Sequence, residues 1–190
     1  MNGERIVTVF GSSRPVEGDA DYAEARELGR LLAEKGFAVC GGGYGGTMEA
    51  ASRGAKEAGG KTYGVTAEFF GRKVNGWVDV EVRKKTWEER LFELIRLADG
   101  FVACRGGTGT LVELAVVWEM VNKSVMARQP VAVLGDFWQP ILERVREVEQ
   151  GPRSSSGSRA WGEASGNLVH SAATPEEAAK YLAEQIGRGK

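Results

Sequence analysis

Short apolar runs alternate with stretches of helical periodicity along the 190-residue chain, and this alternation restricts the fold more than any other feature. Strand-like runs occupy residues 5–10, 38–40, 62–65, 78–82, 100–104, 131–134 and 167–169. Helical patterns fill 19–35, 47–58, 87–98, 110–122, 138–148 and 175–186 between them. Repeated strand–helix–strand order implies parallel pairing, because a parallel return needs a crossover long enough to hold a helix. The runs at 5–10, 100–104 and 131–134 are nearly continuously apolar, as strands covered on both faces are. The expectation is an α/β chain: a Rossmann-like, doubly wound, mostly parallel sheet of about seven strands with helices on both faces. Helix starts are marked by Thr86 with Glu89 and Thr110 with Glu113, two capping-box spacings, and by Thr174-Pro175 with Glu177.

The length suits a single domain over residues 1–190. Residues 151–166 are rich in glycine and serine and read as a flexible surface loop, with Trp161 inside it. The net charge of −1, from 25 basic and 26 acidic residues, gives no pull towards nucleic acid. No run approaches the ~20 apolar residues of a membrane span, and the first residues lack a signal-peptide core, so a cytoplasmic protein is expected. Cys40 and Cys104 read as buried free thiols. Two cysteines and His170 make no zinc set, so no metal is expected.

The chain contains 27 glycines, and many fall in three turns at expected strand ends: 11–14 (GSSR), 41–46 (GGGYGG) and 105–110 (RGGTGT). In a doubly wound sheet such ends form the ligand crevice. Gly41, Gly43 and Gly46 match G-x-G-x-x-G, but after the second strand; a dinucleotide fingerprint belongs after the first. The third turn runs from a strand into a helix, so its N–H groups can converge on an anion. Arg105, Gly106, Gly107, Thr108, Gly109 and Thr110 are the expected phosphate-binding residues. No G-K-[ST] follows, which argues against a nucleoside triphosphatase.

Two charged residues stand out of place. Glu113 lies on a helix that is apolar nearly all round, where a carboxylate must be paired, capped or used. Closure of a capping box on Thr110 would satisfy it, and a catalytic role is equally open. The helix itself reads as buried on both sides, one facing the sheet and the other a partner subunit. Arg90 falls inside the apolar arc of helix 87–98, where it must snorkel, form an ion pair or meet an anion.

These motifs together resemble the LOG ("lonely guy") family of phosphoribohydrolases, long misnamed lysine decarboxylases. The similarity covers roughly residues 5–148. It rests on VFGSS at 9–13, on GGGYGGTMEAASRGAKEAGGKTYGV at 41–65 and on ADGFVACRGGTGTLVE at 98–113. The resemblance implies a Rossmann-like homodimer that cleaves the N-glycosidic bond of cytokinin riboside 5′-monophosphate or AMP, releasing base and ribose 5-phosphate. It implies catalytic roles for Arg90 and Glu113, with phosphate on the glycine signature. Gly11, Ser12, Gly43 and Met48 would line the base and ribose side. A purine nucleoside monophosphate is the expected partner; no cofactor is implied, and nothing marks a pyridoxal-phosphate lysine. Arg105 stands where the family has proline, and Leu91 follows Arg90 where the family has lysine. These departures make a rival of a related branch, which resembles the molybdenum-cofactor carrier proteins and binds a phosphorylated pterin without known hydrolysis.

Overall fold

A computed structural model describes residues 3–149 and 168–188. Its strands are β1 (Ile6–Phe10), β2 (Ala38–Gly41), β3 (Thr62–Ala67), β4 (Val80–Lys84), β5 (Gly100–Ala103), β6 (Val131–Leu134) and β7 (Val169–Ala172). Its helices are α1 (Ala20–Glu34), α2 (Thr47–Glu57), α3 (Trp87–Arg96), α4 (Thr108–Asn122), α5 (Gln139–Glu149) and α6 (Pro175–Arg188). A short 3₁₀ turn, Glu68–Phe70, follows β3. The strands form one seven-stranded sheet in the order β4-β3-β2-β1-β5-β6-β7, and every pairing is parallel. The doubly wound α/β expectation is met. The segment 151–166, with Trp161, lies outside the described residues.

Alternation along the strands sends side chains to two separate cores. Ile6, Phe10 and Cys40 pack beneath α3, α4 and α5 with Leu94, Leu114 and Leu142. Val7, Val9 and Val39 pack beneath α1, α2 and α6 with Leu28, Ala55 and Leu182. Both cysteines are free and buried. Burial pushes the Cys40 thiol up to about 12, so it is inert at neutral pH.

Of the boundaries that differ from the sequence reading, three carry physical information, two of them at sheet edges. Strand β4 begins at Val80, because Asp79 is held at the mouth of the strand by its carboxylate, which accepts from the Thr62 N–H at 2.9 Å. Strand β7 lies later than 167–169: it pairs with β6 from Val131↔Val169 to Leu134↔Ala172. Edge strands are half exposed, so polar residues such as His170 and Ser171 belong to the ladder and an apolar run does not mark its end. Helix α4 starts at Thr108, two residues early, with Gly107 as its N-cap and no capping side chain. Thr110 therefore sits inside the first turn and Glu113 in the second, and the expected capping box does not exist.

Helices α1 and α2 leave the first two glycine turns, so their packing sets where those turns sit. They approach backbone to backbone: a Cβ on Gly29 would collide with the Ala51 carbonyl, and one on Gly54 with the Arg26 carbonyl. Neither neighbour is a flexible side-chain end, so the helices would have to separate. Gly54→Ala is expected to cost roughly 2 kcal/mol of stability, within the range for overpacking. Urea unfolding should show a lower midpoint at unchanged slope.

Candidate functional site

The strand order reverses between β1 and β5, and the loops that follow these two strands border a cavity there. Backbone hydrogen bonds lock all three glycine turns together. The Ser12 N–H donates to the Arg105 carbonyl at 3.2 Å, and the Ser12 carbonyl accepts from the Thr47 N–H at 2.8 Å. Such an approach leaves no room for side chains. A Cβ on Gly11 would strike Thr47, and Gly46, at φ +72°, passes directly against the backbone of Ser12 and Ser13. Glycine is required at 46 by conformation as well as by space.

The third turn delivers the N-terminus of α4. The N–H groups of Thr108, Gly109 and Thr110 have no acceptor among the described residues, and Leu111 is the first to bond back, to Gly107. They form a preset anion site with the positive end of the helix behind them. The glycines here fall into two kinds. Gly106 is needed because a Cβ would collide with the Thr110 side chain. Gly107 and Gly109 have nothing within 4 Å of an added Cβ, and neither has a positive φ. Neither packing nor backbone conformation demands glycine at these two positions, and both line the open cavity.

Helix α3 supplies Arg90. Its N-terminus is fixed by Thr86, whose hydroxyl accepts from the Glu89 N–H at 3.2 Å. Arg90 does not snorkel: it is 6% exposed. Its Nε donates to the Val65 carbonyl at 2.8 Å, and Nη2 lies 3.8 Å from the Met48 sulfur. The Tyr44 and Phe70 rings stand 5.6 and 5.7 Å from its Cζ. Gly42 makes room, since a Cβ there would occupy the place of the guanidinium. The remaining nitrogen, Nη1, faces Glu113 Oε1 at 3.6 Å. That is an ion pair too long for a hydrogen bond. Glu113 is 15% exposed. Burial pushes its carboxyl up to about 7, against the opposing pull of Arg90.

These groups line a cavity of about 960 Å³. Of the residues expected at the site, Gly11, Ser12, Met48, Arg90, Glu113 and the whole run from Arg105 to Thr110 are in its wall. Gly43 is not among the lining residues; at φ +76° it packs against Gly64, Thr66 and Val74, and its carbonyl accepts from Asn75. The wall also holds Arg14, Tyr44, Phe70, Arg72, Trp87 and Phe137, which sequence reasoning did not assign to the site. A tyrosine inside a glycine turn and a Phe-Phe pair directly after a strand were the available signals. Arg105 lies over the Phe137 ring at 5.3 Å and 4.0 Å from Asp21. Among the described residues no cluster of His, Cys, Asp and Glu could hold a metal, and no helix is long and apolar enough to cross a membrane.

Residues 4–154 match the SLOG cluster4 family. An uncharacterized protein of Archaeoglobus fulgidus is 30% identical over 117 residues, covering 60% of this chain and 75% of that protein. The cytokinin riboside 5′-monophosphate phosphoribohydrolase LOG of rice, Oryza sativa subsp. japonica, is 35% identical over 146 residues. That match covers 73% of this chain but 58% of the rice enzyme, so the chain spans little more than half of its length. Among solved structures, the molybdenum cofactor binding protein of Rippkaea orientalis superposes with a TM-score of 0.76 at 26% identity, covering 98% of this chain and 99% of that one. The molybdenum cofactor carrier protein of Chlamydomonas reinhardtii shares the fold, with a TM-score of 0.69 at 24% identity and 97% and 99% coverage.

The elevated Glu113 pKa has a measurable consequence. A carboxyl at about 7 in the native state and ~4.3 when unfolded binds its proton more tightly when folded. Its contribution is therefore most favourable below pH ~4 and is lost as pH rises through 7, the reverse of an ordinary salt-bridged carboxylate. The unfolding free energy of wild type minus that of Glu113→Gln should fall by roughly 2.5 kcal/mol between pH 5 and pH 8. A difference that stays flat across this range would mean that Glu113 titrates as an ordinary carboxylate.

Proposed function

The chain belongs to the SLOG cluster4 family, and on that premise we propose that it is a phosphoribohydrolase: it hydrolyses the N-glycosidic bond of a purine nucleoside 5′-monophosphate, a cytokinin riboside monophosphate or AMP. The observation that carries this reading is the Arg90–Glu113 pair beside the open N-terminus of α4. The 5′-phosphate docks on the N–H groups of Thr108, Gly109 and Thr110, with Gly107 and Gly109 leaving room for its oxygens. Arg105 adds a positive charge at the rim. The ribose then lies towards Glu113, one helical turn further along α4.

Bond cleavage builds positive charge on the sugar as the C1′–N9 electron pair leaves with the base. The Glu113 carboxylate stabilises that charge and takes a proton from the attacking water. The water oxygen bonds to C1′ as the C1′–N9 bond breaks, and the proton taken up by Glu113 passes to the departing base nitrogen, directly or through solvent, which restores the carboxylate. A carboxyl titrating near 7 is well matched to this task at neutral pH. Arg90 cannot serve as the proton donor, since guanidinium stays charged. It holds the carboxylate in place and binds substrate oxygens. Gly11, Ser12 and Met48 border the sugar and base; Gly43 acts from behind by shaping the second turn.

A second reading has its own support, namely the likeness to the Rippkaea orientalis protein along nearly the whole chain, together with Arg105 and Leu91. It makes the protein a holder of a phosphorylated heterocycle such as the molybdenum cofactor, as cargo. Chromatography after incubation with AMP separates the two readings. Hydrolysis releases adenine and ribose 5-phosphate, and Glu113→Gln should lower kcat at least 100-fold. Thermal stabilisation by ligand with no product would favour the holder. Gly109→Ala should leave the melting temperature unchanged or slightly raised, because alanine is the better helix former by up to ~1 kcal/mol. The same variant should raise KM for AMP at least tenfold.

The proposed protein is a cytoplasmic, single-domain homodimer. Helix α4 buries Leu114, Val117, Trp118 and Val121 against the sheet, yet leaves Val112, Val116 and Met120 only half covered and Ala115 exposed. Phe92 on neighbouring α3 is 53% exposed. One chain thus covers α4 on one side only, and a second copy supplies the other. Light scattering should give twice the mass of one chain, and Val116→Glu should reduce it to the mass of one.

A further inference from the structure

The cavity contains four aromatic side chains: Tyr44, Phe70, Trp87 and Phe137. Three of them already have work to do within the protein. Tyr44 is buried, its hydroxyl bonded to both the N–H and the carbonyl of Ala67 at 2.9 and 3.2 Å, and its ring lies against Arg90. Phe70 packs its ring against Arg90 and meets Tyr44 edge to face. Phe137 lies under Arg105 and against Trp138. Trp87 is different. Among the described residues no ring and no guanidinium lies against its indole. It is 37% exposed, no more than Phe70 at 38% or Phe137 at 42%, but of these three rings it is the largest and the one without such a partner among the described residues.

Its position in the chain gives that exposure a meaning. Trp87 is the first residue of α3 and stands three before Arg90, so the two share one face, about 4.5 Å apart along the axis. Arg90 pairs with Glu113 at 3.6 Å. Glu113 in turn stands three residues after Thr110, one turn from the open N–H groups of α4. Helical spacing thus links the anion site to Glu113 and Arg90 to Trp87, the ion pair joins the two helices, and all four groups share one cavity wall. A phosphorylated nucleoside offers a phosphate, a sugar and a ring to such a set of groups.

We propose that Trp87 is the stacking platform for the ring of the ligand, a fused-ring nitrogen heterocycle attached to a phosphorylated tail. It is the residue by which the cavity tells such a ligand from a bare sugar phosphate. The inference rests on the reading that the cavity takes a phosphorylated heterocycle, and it holds whether that ligand is cut or only held. Stacking on an aromatic side chain accepts any flat base, so Trp87 sets the class of ligand and leaves the choice among bases to the ring edges.

The test uses the full chain and reads tryptophan fluorescence by stopped flow, faster than turnover, with AMP, a pterin monophosphate, ribose 5-phosphate and inorganic phosphate as probes. AMP or the pterin should quench wild-type fluorescence, and Trp87→Phe should lose most of that quench while keeping affinity within about threefold. Trp87→Ala should weaken heterocycle binding at least tenfold and leave the affinity for ribose 5-phosphate within twofold. Being partly exposed, Trp87 can be truncated without loss of the fold, and a melting curve checks this. Unchanged AMP and pterin affinity in Trp87→Ala overturns the platform alone, as does an equal loss for ribose 5-phosphate. No binding of either heterocycle by folded wild type removes both the platform and the ligand class on which it rests.

Discussion

Two backbone hydrogen bonds at Ser12 hold the site in one piece. Its N–H reaches the loop after β5 and its carbonyl reaches the start of α2. Each bond contributes only about 1 kcal/mol net, but the two meet at one half-buried residue and tie three loops together. The loops therefore stay in register with one another. Because both bonds use main-chain atoms, the lock depends on how closely the chains approach and not on any particular side chain. Gly11 and Gly46 set that approach. The result is that the N-terminus of α4 and the first turn of α2 keep a fixed relation, and the cavity is formed before any ligand arrives. A preset cavity avoids the ordering cost that a loose set of loops would incur on binding.

The electrostatics of the cavity follow from how Arg90 is held. The guanidinium is gripped by a carbonyl, a thioether and two ring faces, all of them neutral. None of these cancels its charge. Glu113 is the counter-charge, yet at 3.6 Å it makes no direct hydrogen bond. A buried ion pair repays its desolvation only when the geometry is close and the remaining lone pairs are satisfied. Here they are not, which is why burial outweighs Arg90 and the carboxyl titrates near 7. The wall sets Arg14, Arg72, Arg90 and Arg105 against Asp19, Asp21 and Glu113, so the open N–H groups of α4 are what mark the anion end of the cavity.

The sequence made the frame legible because strand and helix periodicities differ and because strands buried on both faces announce themselves as apolar runs. It was less clear at the edges, where β4 and β7 carry polar residues that face solvent. Arg90 and Glu113 were visible as charges in apolar surroundings, but their pairing was not, since 22 residues and a strand lie between them. The capping box at Thr110 failed for a local reason: Gly107 offers an extended N-cap three residues earlier, and a motif of two residues cannot say which turn begins the helix. Gly43 was placed by its motif and turns out to shape the turn from behind. Phe70 was missed because it enters the cavity through a 3₁₀ turn, which has no apolar period to read.

Whether the cavity cuts its ligand or only holds it turns on what Glu113 is for. A holder needs cations and N–H groups for the phosphate and a flat surface for the ring. A buried carboxylate weakens phosphate binding in such a site, unless it is there to balance Arg90. A balancing carboxylate would sit within hydrogen-bond distance of the guanidinium and titrate below the ordinary range. Glu113 does neither: it stands off at 3.6 Å and titrates near 7. A buried ion pair at this separation is weak evidence for a stabilising role. A carboxyl held half-ionised at neutral pH beside an anion site is what general-base attack on a phosphorylated sugar calls for. The proposed hydrolysis gives Glu113 a use that holding a ligand does not.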